Sequence, residues 1–250
     1  MRASSDSGAT WTDILTLDAS TPAIIDRKSI RIQAGTYAGR WMVPYAVNGK
    51  LRIAYSAVAY PDDVGAGDFA DCDWSAYTYG TGIDVGGEPV ITEMANGLLY
   101  LVTRQAGVIK VGWSSDGGAN WYPNLTAGVP SGTVNTLKAM DGTGGFSYMQ
   151  SKDSANDVVW AHGAVWIIQT GIDTTGIRQN LIAWRSADNG KTYLPTKALI
   201  AGRNTCYSIH AYPYQMGLIA CFNTGNSGDA IMVSPNFFVG LPGVRRFTDE

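Results

Sequence analysis

Residues Gly87–Trp121 read GEPVITEMANGLLYLVTRQAGVIKVGWSSDGGANW. Inside this stretch Pro89–Met94 and Leu98–Arg104 have the composition of two strands, joined at Asn96-Gly97, the strongest short signal for a hairpin turn. With Asn96 and Gly97 as the loop residues, Pro89 falls opposite Arg104. Glu88 and Arg104 then share one end of one hairpin. A second run, Val108–Trp113, follows and turns through Ser114-Ser115-Asp116-Gly117-Gly118-Ala119-Asn120 before reaching Trp121.

That last turn recurs. Ser4–Trp11 reads SSDSGATW, Ser114–Trp121 SSDGGANW and Ser186–Tyr193 SADNGKTY, all fitting Ser-x-Asp-x-Gly-x-(Thr/Asn)-aromatic. The chemistry is that of a locked turn. The Asp and Ser/Thr side chains bond to backbone groups of the turn, Gly takes a positive φ, and the aromatic ring anchors the outgoing strand. Three copies, each read as preceded by a strand-like run (Ile109–Trp113 and Leu181–Arg185 for the second and third), indicate a repeated sheet unit. The octet is the Asp-box, and its repetition resembles the blades of β-propellers. Asp-boxes occur in sialidases, in other glycoside hydrolases and in non-enzymatic propellers, so they speak to fold. Asp6, Asp116 and Asp188 are read as turn residues and none is assigned to catalysis.

Composition agrees with an all-β chain. Of 250 residues 30 are Gly, the charged fraction is 16%, and Trp, Tyr, Val, Ile and Thr are plentiful, as suits pleated surfaces. There is no sustained i, i+3, i+4, i+7 apolar pattern, so helix should be scarce. No linker divides the chain, and residues 1–250 are read as one domain. A net charge of −3 without a Lys/Arg run argues against nucleic acid or an anionic membrane as partner. Cys72, Cys206 and Cys221 cannot all pair within the chain, and with two separated histidines they form no metal-binding spacing. Cys206 and Cys221 flank one hairpin; buried free thiols are the preferred reading over a cross-strand pair. The residues after Met1 lack the apolar run expected of a signal peptide, so none is expected in this sequence, and no stretch approaches a membrane span.

Further strands are expected at Ile30–Pro44, Leu51–Ala59, Gly145–Gln150 and Ala230–Leu241. Hairpins are expected over Val158–Gln169, turning at His162-Gly163, and over Asn204–Asn223, turning near Tyr214–Gly217. Asp71–Trp74 reads as a degraded Asp-box.

Laid in order, these pieces resemble the greater part of an exo-sialidase. In that family a Gly-Arg and an apolar-Pro stretch precede a Glu, as Gly39-Arg40-Trp41-Met42-Val43-Pro44 precedes Glu88. A hairpin, an Arg and an Asp-box come next, matched by Asn96-Gly97, Arg104 and Ser114–Trp121. A second Arg then precedes an Asp-box in an Arg-x-Asn strand, matched by Arg178-Gln179-Asn180, and a Tyr-Ser opens a later strand, matched by Tyr207-Ser208. The resemblance implies that Arg104 and Arg178 clamp the sialic acid carboxylate through their planar forks. It implies a neutral nucleophile, Tyr207, because that carboxylate would repel an anionic one, with Glu88 withdrawing its proton. Glu93 competes with Glu88, and Arg185 with Arg178; position in the pattern favours Glu88 and Arg178. No cofactor is expected.

The family's first clamp Arg and its acid/base Asp lie before the first Asp-box, and no residue of this sequence matches either. The family's six-bladed ring is therefore expected to be incomplete here, with a reduced blade count, or to be completed by an oligomer or a partner segment, since open sheet edges invite pairing. Two functions fit: a retaining sialidase-like hydrolase acting on terminal sialic acid, or a non-catalytic sialic-acid-binding propeller such as a viral tail or adhesin module. Both place the chain outside the cell or on a virion, with a sialylated glycan as partner.

Overall fold

The computed structural model describes residues 2–3, 9–13, 23–24, 28–56, 74–77, 87–105, 108–118, 120–121, 135–136, 156–172, 178–190, 193–203, 205–214, 217–224 and 231–233. Among them the regular elements are all strands. A ribbon of β1 (Arg2–Ala3) and β2 (Thr12–Asp13) brackets the first octet, whose residues 4–8 lie outside the described residues. The first large sheet contains β3 (Ala23–Ile24), β4 (Ile30–Arg31), β5 (Trp41–Val47), β6 (Lys50–Ser56) and β7 (Trp74–Tyr77). Both β3 and β4 pair with the same flank of β5 and serve as one interrupted strand. The second sheet holds β8 (Gly87–Glu93), β9 (Leu99–Gln105), β10 (Val108–Ser114) and β11 (Asn135–Thr136). The third holds β12 (Asn156–Ala161), β13 (Ala164–Ile172), β14 (Arg178–Ser186) and β15 (Leu194–Arg203), and the fourth β16 (Thr205–Tyr214), β17 (Gly217–Thr224) and β18 (Ile231–Val233). Every ladder is antiparallel, and within the second, third and fourth sheets each strand pairs with its successor in the chain.

The sheets are the blades of a β-propeller. Residues alternate between a blade's two faces, and both faces are apolar because each packs on a neighbour. One core lies between the first and second blades, where Met42, Ile53 and Tyr55 meet Ile91, Leu99 and Leu101. The next residues along the same strands, Val90, Tyr100 and Val102, face the third blade's Val158, Val165, Ile167 and Trp184. At roughly 1.5–3 kcal/mol for each fully buried large apolar side chain, these two layers supply much of the force that stacks the blades. The first strands of successive blades lie together, β8 against β12 and β12 against β16.

The expected β8–β9 hairpin is present with a different register. Its loop is Ala95-Asn96-Gly97, closed by Gly97 N–H to Met94 O and Met94 N–H to Leu98 O, both 2.8 Å, with Gly97 at φ 77°. This is a three-residue loop ending in a left-handed Gly, which Asn-Gly serves as well as the two-residue loop. Leu99 therefore faces Glu93, and Gly87, not Pro89, lies opposite Arg104. The hairpins turning at His162-Gly163 and near Tyr214–Gly217 are as expected.

Two Asp-boxes are described. The Ser114 hydroxyl donates to Asp116 Oδ1 at 2.7 Å and accepts the Gly118 N–H at 2.8 Å; Asp116 also accepts the Asn120 backbone N–H at 2.9 Å. Ser186 repeats this with Asp188 and Gly190, both at 2.7 Å. Gly118 and Gly190 have φ of 92° and 82°, and the anchoring rings of Trp121 and Tyr193 are buried. Each turn is also docked on the preceding blade, by the Tyr55 hydroxyl donating to Gly117 O and the Tyr100 hydroxyl to Gly190 O.

Cys221 lies opposite His210, so Cys206 is not its cross-strand neighbour. Cys72, the expected strand Gly145–Gln150 and the Asp71–Asp73 part of the degraded box lie outside the described residues.

Candidate functional site

Each blade has two ends. In the second blade the Asp-box follows Ser114, which pairs with Leu99 beside the β8–β9 turn. Gly87 and Arg104 pair at the opposite end. There the ladder is interrupted: Glu88 and Pro89 together oppose Thr103, forming a β-bulge. Pro89 has no N–H to give a ladder, and Glu88 takes the extra position at φ 56°. A left-handed conformation costs a Cβ-bearing residue about 1–2 kcal/mol. The bulge aims the Glu88 side chain at Arg104. Arg104 Nε donates to Glu88 Oε2 at 3.1 Å and Nη2 donates to Oε1 at 2.9 Å, a two-point ion pair whose side chains are 23% and 16% exposed.

Arg178 begins β14 opposite Ile172, eight residues before the Asp-box serine of its blade, and so sits at the same end as Arg104. Tyr207 lies near the start of β16, in the irregular stretch between Thr205 and Ile209 and away from the Tyr214–Gly217 turn. The side chains of Arg178 and Tyr207 lie outside the described residues. The competing residues occupy the other end. The Glu93 carboxylate accepts the backbone N–H groups of Gln33 and Ala34 and holds the β4–β5 turn, the Ala34 bond at 2.8 Å. Arg185 adjoins the Asp-box serine Ser186, with its guanidinium 5.7 Å from the centre of the Trp166 ring.

Three residues at the Glu88 end escaped the sequence reading: Lys28, Asn156 and Asp157. The buried Asp157 carboxylate accepts the Val158 N–H at 2.7 Å, the Ala211 N–H of β16, and Lys28 Nζ at 3.0 Å. Lys28 also donates to Ala211 O at 2.6 Å and lies 5.2 Å from the Tyr212 ring centre. Lys28 comes from the interruption between β3 and β4, so one short network ties together segments 129 and 183 residues apart. The only local hint was an Asn-Asp pair opening an apolar run.

An arginine fork beside a carboxylate, on the rim of stacked blades, can bind an anionic group and hold a base. Among the described residues no cluster of His, Cys, Asp and Glu is able to hold a metal ion.

The chain resembles several solved glycosidases in shape, all with low identity. The NanB sialidase from Streptococcus pneumoniae matches with a TM-score of 0.49 and 14% identity over 80% of this chain, which spans 28% of that protein. The Bacillus subtilis arabinanase Arb43A matches at 0.44 and 13% identity, covering 78% of this chain and 67% of that one. A Cellvibrio cellulosa α-L-arabinanase, solved with arabinohexaose, matches at 0.42 and 13% identity over 76% and 67%. No curated protein matches the sequence. The BNR repeat-like domain family matches residues 1–217, in agreement with the repeated boxes and stacked blades, and the chain belongs to that family.

Proposed function

We propose that this chain recognises the carboxylate of a terminal sialic acid on a glycoconjugate and supports retaining hydrolysis at that sugar. In this reading Arg104 and Arg178 clamp the carboxylate, Tyr207 is the nucleophile and Glu88 takes its proton. The observation that carries it is Glu88, held in a strained bulge against Arg104 at the same end as the Arg178 and Tyr207 backbones. Strain of this kind persists where a side chain's position matters more than local stability. Glu88 engages the Nε–Nη2 edge of Arg104.

A second reading, a sialic-acid-binding module without turnover, is favoured by one observation. Asp157, the other described inner-strand acid at this end, has its oxygens committed to two backbone N–H groups and Lys28. It is poorly placed to protonate a leaving group, a step typically worth 10²–10⁴ in rate.

Hydrolysis of a fluorogenic sialoside, measured beside equilibrium binding of free sialic acid, separates the two. Turnover that disappears in Tyr207→Phe while binding persists supports the hydrolase. Binding without turnover supports the module, and the absence of both rejects sialic acid as the ligand.

A further inference from the structure

Asn156, which opposes the equally buried Gln169 across the β12–β13 ladder, is a buried residue that the proposed chemistry does not use. It is 0% exposed, and neither Oδ1 nor Nδ2 has a hydrogen-bond partner among the described residues. An unsatisfied buried amide is rare enough to require an explanation. Its place is fixed by register. The Trp160 N–H donates to Thr92 Oγ1 at 2.9 Å, which sets β12 level with β8. Four ladder steps back from that bond, Asn156 lies level with the Gly87–Arg104 pair, one step beyond the Glu88–Pro89 bulge. Asn156 shares the face of β12 that carries Val158 into the core between the second and third blades, and Arg104 shares the face of β9 that carries Tyr100 and Val102 into it. Asn156 is therefore on the third blade's side of the seam on which Arg104 lies. Its backbone is held by the adjacent Asp157, which is tied to β16 and Lys28.

We propose that Asn156 is a positioning residue that holds an ordered water in the seam between these blades, and that this water hydrogen-bonds the Glu88 carboxylate. A primary amide offers one donor group and one acceptor, the complement of a water that must both accept and donate. Water bridging accounts for an amide buried without a partner among the described residues and gives Glu88 a support beside Arg104. The assignment of a function to this support rests on the proposed sialic acid site; the water itself does not.

The test is a high-resolution crystal structure of the full chain with Asn156→Leu and Asn156→Ser beside it. The expected result is density for one water within about 3.2 Å of an Asn156 amide atom and of a Glu88 oxygen. That water should be lost in Asn156→Leu together with the two-point Glu88–Arg104 geometry, and both should return in Asn156→Ser, whose hydroxyl also donates and accepts. A direct bond from another protein group to the amide, or a dry seam, overturns the proposal. So does an unchanged ion pair in Asn156→Leu. If Asn156→Leu does not fold, the native and Asn156→Ser density decide. Sialoside affinity is read separately: a fall of about fivefold in Asn156→Leu, the equivalent of one net hydrogen bond, restored in Asn156→Ser, ties the water to function. A protein that binds no sialoside but shows the water rejects the proposed ligand and keeps the positioning role.

Discussion

Removing the Tyr100 hydroxyl should destabilise the protein far more than removing its partner's. Tyr100 Oη donates to Gly190 O at 3.1 Å and accepts the Tyr193 hydroxyl at 2.7 Å, and both rings are buried. Tyr100→Phe leaves two buried groups unsatisfied, the Gly190 carbonyl and the Tyr193 hydroxyl. At about 1–3 kcal/mol for each orphaned group, the expected loss is roughly 2–4 kcal/mol. Tyr193→Phe deletes only the donor and leaves Tyr100 on Gly190, a loss of about 1 kcal/mol. In the Tyr193→Phe background Tyr100→Phe orphans one group fewer, so the double-mutant cycle should give about 1–2 kcal/mol of coupling. The assay is urea unfolding with thermal melts, where 1 kcal/mol moves Tm by about 2–4 °C in a domain of this size. A pH arm follows from the same pair. Burial, the largest cause, pushes both phenols above their usual range; the hydrogen bond from Tyr193 partly offsets this for Tyr100. A group raised in the folded state stabilises fully below its unfolded value, about 10, and the benefit is lost as pH rises beyond it. Alkaline unfolding should therefore steepen above about pH 10 in the native protein and soften in the double Phe variant. A Tyr100→Phe loss under about 0.5 kcal/mol, or strict additivity, would refute the inter-blade lock.

Gly190→Ala should cost about 3 kcal/mol or more, because its Cβ would fall 2.5 Å from Tyr100 Cζ at a φ of 82°, whereas Gly163→Ala, at φ 69° with open space around it, should cost about 1–2 kcal/mol; comparable melts for the two would contradict the docking. Burial pulls the Asp116 carboxyl upward, but hydrogen bonds from Asn120, Ser114 and the Asp116 N–H outweigh it and hold the group below its usual range. Its stabilisation is thus present above about pH 4 and lost as pH falls further, so Asp116→Asn should narrow the gap between neutral and acid melts. Glu93→Gln should lower Tm by loosening the turn at Gln33 and Ala34 without changing sialoside affinity, and an affinity loss would return Glu93 to the site. Glu88→Gly should leave stability within about 1 kcal/mol, since relief of the left-handed strain offsets a partly exposed ion pair, yet abolish sialoside recognition.

The last of these predictions bears on what the sequence could reveal. The box turns were legible because each Ser-x-Asp-x-Gly octet closes on itself, through bonds no more than four residues long. The approach of Glu88 to Arg104 was legible from the hairpin, although the pairing was not. Asn96-Gly97 suits a two-residue or a three-residue loop, and the longer loop moves the register by one. The bulge then inserts Glu88 and brings Gly87 opposite Arg104, so the side chains still meet. Pro89 is a local sign of an irregular ladder, but Glu88 does not announce the bulge, because Glu has no preference for positive φ and a Gly there would be the low-energy choice. Lys28, Asn156 and Asp157 were illegible for a different reason: their contacts, or the height at which they sit, depend on how blades stack. Among the described residues at positive φ, Glu88 is the one carboxylate, and it is held there by both prongs of the Arg104 fork. A strained Glu where Gly would serve the backbone better is what a site retains when the side chain, and not the turn, is needed.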